Sequence, residues 1–183
     1  MHSVEYRAID TAGNVEAVKH LAIGIDKRTP AIAVSVPGDG SIYETSDDLT
    51  PQFTLTDNFS HVDNSKTTVT LDTHSYKIGT AIPLYTLPLG QHTLVISSSD
   101  LVGNQGNITV HFQTVAGIDS LKALVSRFAD MKWIDNAGIA KSLQAKLAIN
   151  NLNSFVNGVK AQNGKHISSE AATYLLRDAQ YVL

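Results

Sequence analysis

The residue types that most often carry chemistry are scattered along this 183-residue chain. Its histidines form no His-Glu-x-x-His or His-x-His pair, so they lack the spacing of a catalytic zinc site. They are His2, His20, His61, His74, His92, His111 and His166. The chain also has no Gly-x-Ser-x-Gly segment for an activated serine and no cysteine for a thiolate. The sequence predicts no catalytic residue and no cofactor-binding residue, and we therefore expect a chain that is not itself an enzyme.

Acidic side chains are concentrated in two loop regions. Asp47 and Asp48 lie in the first region, and Asp57 and Asp63 lie in the second. Carboxylate oxygens are ligands that calcium prefers, although neither region has EF-hand spacing. Aspartate is also an ordinary turn former. Calcium ligands and solvated turn residues therefore both remain open for these four side chains.

Aromatic rings are the usual platforms on which carbohydrate-binding modules stack sugars, and they are sparse here. Phe, Trp and Tyr together make up 7% of the residues. Trp133 is the one tryptophan, and Tyr43, Tyr76 and Tyr85 lie on or beside predicted strands. These four rings are the possible ligand platform, and packing in a hydrophobic core is the alternative for Trp133.

Composition excludes some partners and favours a folded chain. The 43% of hydrophobic residues suffice for a buried core. The formal net charge of -3 gives no broad basic surface, so we expect no nucleic-acid partner. No apolar run reaches 18 residues and no charged-then-apolar leader is present, so we expect neither a membrane span nor a signal peptide.

The composition changes sharply near residue 117. All five prolines precede this point: Pro30, Pro37, Pro51, Pro83 and Pro88. Residues 1–116 carry a net charge of -6, whereas residues 117–183 carry +3. We predict three segments: a terminal hairpin over residues 1–28, a β domain over residues 29–116 and a helical domain over residues 117–183.

Short runs rich in Thr, Val and Ile tend to alternate apolar and polar side chains before residue 117, as half-buried strands require. Gly, Pro, Asn and Asp interrupt these runs. The runs are 31–36, 41–44, 52–56, 67–71, 74–78, 91–98 and 107–115. Seven short strands over about 85 residues predict an immunoglobulin-like β-sandwich.

An internal repeat supports this prediction. Residues 2–14 align without gaps on residues 92–104, and both copies end in Asp-x-x-Gly-Asn. This pattern predicts a hairpin turn in which the Asp accepts backbone N–H bonds and the Gly adopts a left-handed conformation. Residues 1–28 are accordingly interpreted as the terminal hairpin of a truncated preceding repeat.

Apolar residues recur at helical spacing after residue 117. The stripe through Ile139 and Leu147 faces a different direction from the one through Leu152 and Val159, which predicts a turn at Asn150-Asn151. Gly164 is a predicted C-cap and Ser168 a predicted N-cap. The pattern predicts a small bundle of about four helices.

Two family resemblances follow from these motifs. The Asp-x-x-Gly-Asn hairpin, preceded by Leu-Pro-Leu-Gly-Gln-His-Thr at 87–93, resembles the closing strands of bacterial Ig-like repeats, over residues 1–116. Gly-Ile-Ala-Lys-Ser-Leu-Gln-Ala-Lys-Leu at 138–147, followed by residues 155–168, is similar to the FIMAH domain. The connection after Leu147 is shorter than is usual in that family.

The resemblances imply a secreted or cell-surface location in bacteria. They imply a non-catalytic C-terminal accessory module, with a spacer, stabilising or attachment role, in a larger enzyme that acts on polysaccharide. The parent would be a lyase, glycosidase or peptidase, and the partners would be its upstream catalytic and Ig-like modules. The alternative is a carbohydrate-binding module that contacts polysaccharide through the sandwich or the bundle. Ig-like folds host many roles, so the fold alone does not decide between them.

Overall fold

The computed structural model describes all 183 residues as β-sheets followed by four helices. The strands are β1 (His2–Tyr6), β2 (Lys19–Ile23), β3 (Ala31–Val36), β4 (Ser41–Glu44), β5 (Asp48–Leu49), β6 (Gln52–Thr56), β7 (Val62–Leu71), β8 (His74–Tyr76), β9 (Ile82–Pro83), β10 (Gly90–Asp100) and β11 (Gln105–Val115). The helices are α1 (Ile118–Asp130), α2 (Ala137–Ala148), α3 (Leu152–Gln162) and α4 (Ser169–Val182). A 3-10 turn, Leu84–Thr86, follows β9. All seven predicted strand runs are present, and the mixed β and α content is confirmed.

The strands form one large sheet and three small ones. The large sheet has the order β4-β11-β10-β7-β8, and within it only the β4–β11 pair is parallel. Strands β3 and β6 pair with each other, as do β5 and β9. Strands β1 and β2 form a separate hairpin, in which every residue is exposed. This hairpin therefore contributes no buried side chain to the core.

The β-sheet core lies on one face of the large sheet. Along β10 the side chains of His92, Leu94 and Ile96 are buried, as the period of two in a strand requires. The half-buried side chains of Ile32 and Phe53, on β3 and β6, pack against the same core. Each fully buried Leu or Ile side chain stabilises the fold by about 1.5–3 kcal/mol. Two sheets thus share one apolar cluster.

The helices begin and end where local signals predict. The Ser168 side chain accepts a hydrogen bond from the Ala171 N–H at 3.1 Å, which confirms the predicted N-cap of α4. Asn150 has a φ of 54° and Asn151 caps α3, which confirms the turn between α2 and α3. Gly164, with a φ of 72°, lies one residue beyond the C-cap of α3. All four helices contribute buried side chains to one apolar cluster.

The helices are 11 to 14 residues long, and none has the length and apolar character of a membrane-spanning segment.

Side chains join the β-sheet part to the helices. Tyr85, in the 3-10 turn of the β-sheet part, is 4% exposed and belongs to the helical core. Asp178 on α4 is fully buried and accepts a hydrogen bond from the Thr45 hydroxyl at 2.7 Å. Arg127 on α1 lies 3.0 Å from the carboxylate of Asp48. These contacts fix the position of the helices against the sheets.

Candidate functional site

The two Asp-x-x-Gly-Asn segments form the same turn. In the second copy, Asp100 Oδ1 accepts the N–H groups of Val102 at 3.0 Å and Asn104 at 2.8 Å, while Asn104 Nδ2 donates to Asp100 Oδ2 at 2.7 Å. The same three distances, 3.0, 2.8 and 2.7 Å, recur within residues 10–14. Gly103 has a φ of 95°, in the left-handed region that glycine adopts without strain. The predicted hairpin turns are therefore confirmed.

The second turn belongs to a cluster of carboxylates at the junction with the β1–β2 hairpin. Carboxylate oxygens of Asp26, Asp57 and Asp100 all lie within 4.8 Å of one another. The Ser60 hydroxyl lies between them, 2.8 Å from Asp26 Oδ2 and 2.8 Å from Asp100 Oδ2. Asn104 Nδ2 also donates to the backbone carbonyl of Asp26 at 3.3 Å. The segment that leaves β2 is thereby attached to the β10–β11 turn.

Hydrogen bonds favour the ionised form of two of these carboxylates. The pKa of Asp26 is lowered most by the hydrogen bond from the Arg28 N–H and next by the hydrogen bond from the Ser60 hydroxyl. Burial opposes ionisation of Asp100, but hydrogen bonds from Asn104 and Ser60 outweigh it, so the pKa of Asp100 is lowered as well. Both groups are therefore charged at neutral pH.

We expect the junction to weaken in acid. A carboxylate with a lowered pKa in the folded state contributes stability above its unfolded pKa of about 3.9, and this contribution is lost as the pH falls through the folded value. The melting temperature of the wild type should decrease once the pH is lowered below about 4. The Asp100→Asn variant should melt lower than wild type at pH 7 and show a smaller fall between about pH 5 and 3. Thermal melts across this range measure both effects, and equal pH dependence of the two proteins would contradict the assignment.

The structure separates the four acidic residues that the sequence put forward as calcium candidates. Asp47 accepts the Glu44 N–H within its own turn, and Asp63, at the start of β7, accepts the Ser65 N–H. Asp48 pairs with Arg127. Only Asp57 lies in the carboxylate cluster. Its oxygen atoms, together with the other carboxylates there, are donors of the kind that calcium binds, and calcium binding at Asp57 stays a prediction.

Sequence reasoning missed the other two members of the cluster. Asp26 follows β2 in a segment without any motif, so no sequence signal marked it. Asp100 belongs to the predicted Asp-x-x-Gly-Asn turn, but that motif does not indicate a cluster of carboxylates. Their proximity to Asp57 depends on how three loops meet in the folded chain.

The four aromatic residues proposed as a ligand platform have different environments. Tyr85 cannot present its ring to a ligand, because it is 4% exposed and packs edge-to-face on Phe128 at 5.2 Å. That part of the prediction was wrong. Tyr43 and Tyr76 are half-buried against the β-sheet core. Trp133 is half-buried and lines a pocket.

The pocket, which we call the loop pocket, lies between the α1–α2 and α3–α4 connections and has a volume of about 350 Å³. Its lining includes Lys132, Trp133, Asp135, Lys165 and His166. The Asp135 carboxylate lies 2.8 Å from His166 Nδ1, and the Asp135 N–H donates to the His166 carbonyl at 3.1 Å. The two connections are thus bonded to each other through both backbone and side chains.

Comparisons with known proteins identify no family for this chain. No family model and no curated protein sequence matches the chain. Among solved structures, the chain is similar to part of the endo-beta-1,4-mannanase from Thermotoga petrophila, with a TM-score of 0.40 and 14% identity. The match covers 49% of this chain and 20% of the mannanase chain.

This comparison corrects one prediction. The solved structure that contains the match is that of an endo-beta-1,4-mannanase. The lack of a recognisable catalytic motif is by itself no evidence that a chain has no activity. The prediction that the chain is not an enzyme was therefore wrong as drawn. A match of this size and TM-score assigns neither a fold nor an activity to the chain.

Proposed function

We propose that the chain is a C-terminal accessory unit of a larger secreted or cell-surface bacterial protein, where it acts as a spacer and attachment segment. In this proposal residues 29–116 form an immunoglobulin-like β-sandwich and residues 117–183 form a FIMAH-like helical bundle. The hairpin over residues 1–28 ends a preceding repeat. The motif resemblances support these assignments, and so does the apolar cluster shared by the large sheet and the β3–β6 sheet.

The observation that carries the proposal is a difference in side-chain exposure between two equivalent hairpins. Val4 on β1 pairs with Leu21 on β2, as Leu94 on β10 pairs with Val110 on β11. Val4 and Leu21 are 43% and 53% exposed, whereas Leu94 and Val110 are 0% and 5% exposed. In the second copy β7 and the β3–β6 sheet accompany the hairpin and complete the core. A sandwich of the same kind around β1 and β2 would bury the exposed face.

The contacts between sheets and helices support a spacer role. A spacer transmits position only if its parts do not rotate freely, and small polar interfaces between domains permit such motion. Here Tyr85 lies inside the helical core, and Asp178 is buried against Thr45. The two parts are therefore held in one orientation.

A tandem fusion tests the proposal. A second copy of residues 29–91 is placed ahead of residue 2, so that its β7 strand can pair with the free edge of β1. We expect the amide protons of Val4 and Leu21 to exchange at least about 100-fold more slowly than in the unfused chain, because a covered strand opens only with its sandwich. A matched fusion that carries a flexible Gly-Ser segment of the same length should leave the exchange fast. Fast exchange in a tandem fusion whose added copy is itself folded would contradict the proposal.

Deletion of residues 1–28 should leave the rest of the protein folded. An isolated two-stranded hairpin is marginal in water, and β1 and β2 pair with no other strand. We expect the melting temperature to change by less than about 4 °C and any self-association through the free edges to disappear. Thermal melts and sedimentation velocity measure these two effects. A chain that unfolds on deletion, or associates as strongly without the hairpin, would show that the hairpin is not a separable element.

Carbohydrate binding is the second candidate function, and the loop pocket favours it. Trp133 offers an apolar surface beside charged and polar groups that can hydrogen-bond sugar hydroxyls. In this alternative the accessory unit contacts polysaccharide through the helical part.

A further inference from the structure

We propose that the loop pocket binds a sugar that carries a carboxylate, such as a uronate unit of an acidic polysaccharide. This inference rests on the second candidate function and specifies both its site and its ligand class. Three observations carry it: a cavity between two connections that are bonded to each other, two lysines on its lining, and the position of the one tryptophan.

The loop pocket is held in shape before any ligand arrives. Ile134 and Ile167 form an isolated antiparallel bridge between the two connections. The Ser168 N–H donates to the Trp133 carbonyl at 2.7 Å, and Asp135 and His166 add the contacts described above. A site whose backbone is already fixed loses little conformational entropy on binding.

The charges on the lining favour an anionic ligand with hydroxyl groups. Lys132 and Lys165 provide two ammonium groups, whereas Asp135 is the single carboxylate. Charge-assisted hydrogen bonds from lysine to a carboxylate are stronger than those to neutral hydroxyls. The side chains of Asp135 and His166 bond to each other and are 58% and 48% exposed. Their exposed atoms can therefore still hydrogen-bond sugar hydroxyls.

Trp133 supplies the apolar side of the pocket. Its ring packs against Phe128 at a centroid distance of 5.3 Å and edge-to-face against Tyr85 at 6.2 Å. The ring is therefore fixed by the helical core while part of it remains exposed at the pocket. Aliphatic C–H groups of a sugar ring pack on such a surface. Because Trp133 is the one tryptophan, its fluorescence reports on this site alone.

Lys132 allows a test that does not damage the fold. This residue has a φ of 62° beyond the end of α1, a left-handed conformation that favours glycine. The Lys132→Gly variant removes the ammonium group while relieving the backbone, so we expect its melting temperature to be unchanged or higher. Lys165→Gln removes the other charge, and Lys141→Gln, on the exposed face of α2, is the matched control.

The experiment is a fluorescence titration of the full chain with tetragalacturonic acid and, separately, with neutral mannotetraose. We expect tetragalacturonic acid to bind at least about fivefold more tightly than mannotetraose, and each of Lys132→Gly and Lys165→Gln to weaken its binding by about fivefold or more. Lys141→Gln should bind as wild type does. Backbone amide shifts should be confined to the two connections around the pocket.

Three outcomes would overturn the inference. Equal binding of both sugars would remove the preference for a carboxylate, and carbohydrate binding itself would stand. Binding that is unchanged in both lysine variants, or amide shifts centred on Tyr43 and Tyr76, would place the site elsewhere on the accessory unit. Absence of binding of either sugar, with a folded chain, would remove the loop pocket as a glycan site. None of these results bears on the hairpin exchange that tests the accessory-unit proposal.

Discussion

The Asp178→Ala variant is expected to unfold with a free energy about 3 kcal/mol lower than wild type, because the change removes a fully buried carboxylate from the partly buried guanidinium of Arg177, which is 26% exposed. Asp178 is fully buried on α4. Its Oδ1 accepts a hydrogen bond from Arg177 Nε at 2.7 Å and lies 2.6 Å from Nη2, which has no hydrogen bond of its own. The Thr45 hydroxyl would also lose its acceptor. Since Thr45 belongs to the β-sheet part, the loss affects both parts of the fold.

Thermal and urea unfolding measure the effect of Asp178→Ala. For a chain of this size, about 3 kcal/mol corresponds to a fall in melting temperature of about 6–12 °C. Asp119→Ala is the control, because the Asp119 side chain is 96% exposed and pairs with Lys122 on the surface of α1. It should change the free energy of unfolding by no more than about 0.5 kcal/mol. Similar losses in both variants would show that Asp178 is not held as described.

Replacing Tyr85 by Ala should cost about 3–5 kcal/mol, which is typical of removing a large aromatic side chain from a core. The Tyr85 ring contacts Phe128 and Tyr174 with centroid distances of 5.2 Å each, and the guanidinium of Arg127 lies 4.8 Å from its centroid. Because this ring comes from the β-sheet part, its loss removes apolar contact between sheets and helices. We therefore expect the wild type to unfold in one cooperative transition and the Tyr85→Ala variant to unfold in two.

Calorimetry distinguishes this outcome from simple destabilisation. Tyr85→Phe keeps the ring and should retain one transition with a loss of less than about 1.5 kcal/mol. Tyr181→Ala, at a position 50% exposed on α4, controls for loss of an aromatic residue at the surface. A single transition in Tyr85→Ala, shifted but undivided, would show that the remaining contacts at Asp178 and Arg127 suffice to couple the parts.

Local periodicity explains why most elements were predictable. The alternation in His92, Leu94 and Ile96 follows from one buried face of a strand, and this pattern is visible without knowing the partner strand. The helix caps at Asn151 and Ser168 are equally local, since each side chain bonds to an N–H three residues later. Strands β5 and β9, with two residues each, were missed because so short a strand has no period.

Sites formed by several loops were not predictable in the same way. Asp26, Asp57 and Asp100 are separated by more than 30 residues each, and no spacing rule relates them. Tyr85 was placed among exposed platforms because its neighbours in sequence do not show which core it enters. For Trp133 the sequence left core packing and an exposed ligand platform open. The structure contains features of both, since one side of the ring packs on Phe128 and another part lines the loop pocket.

The amino-acid sequence by itself determined the order of strands and helices, the duplicated Asp-x-x-Gly-Asn turn and the change of character near Gly117. These properties depend on side chains within a few residues of one another. Only the tertiary structure decided that Asp100 is buried while its counterpart Asp10 is exposed, and that Tyr85 and Asp178 join sheets to helices. Burial and ion pairing depend on which distant segments come into contact, and that information is not contained in any local pattern.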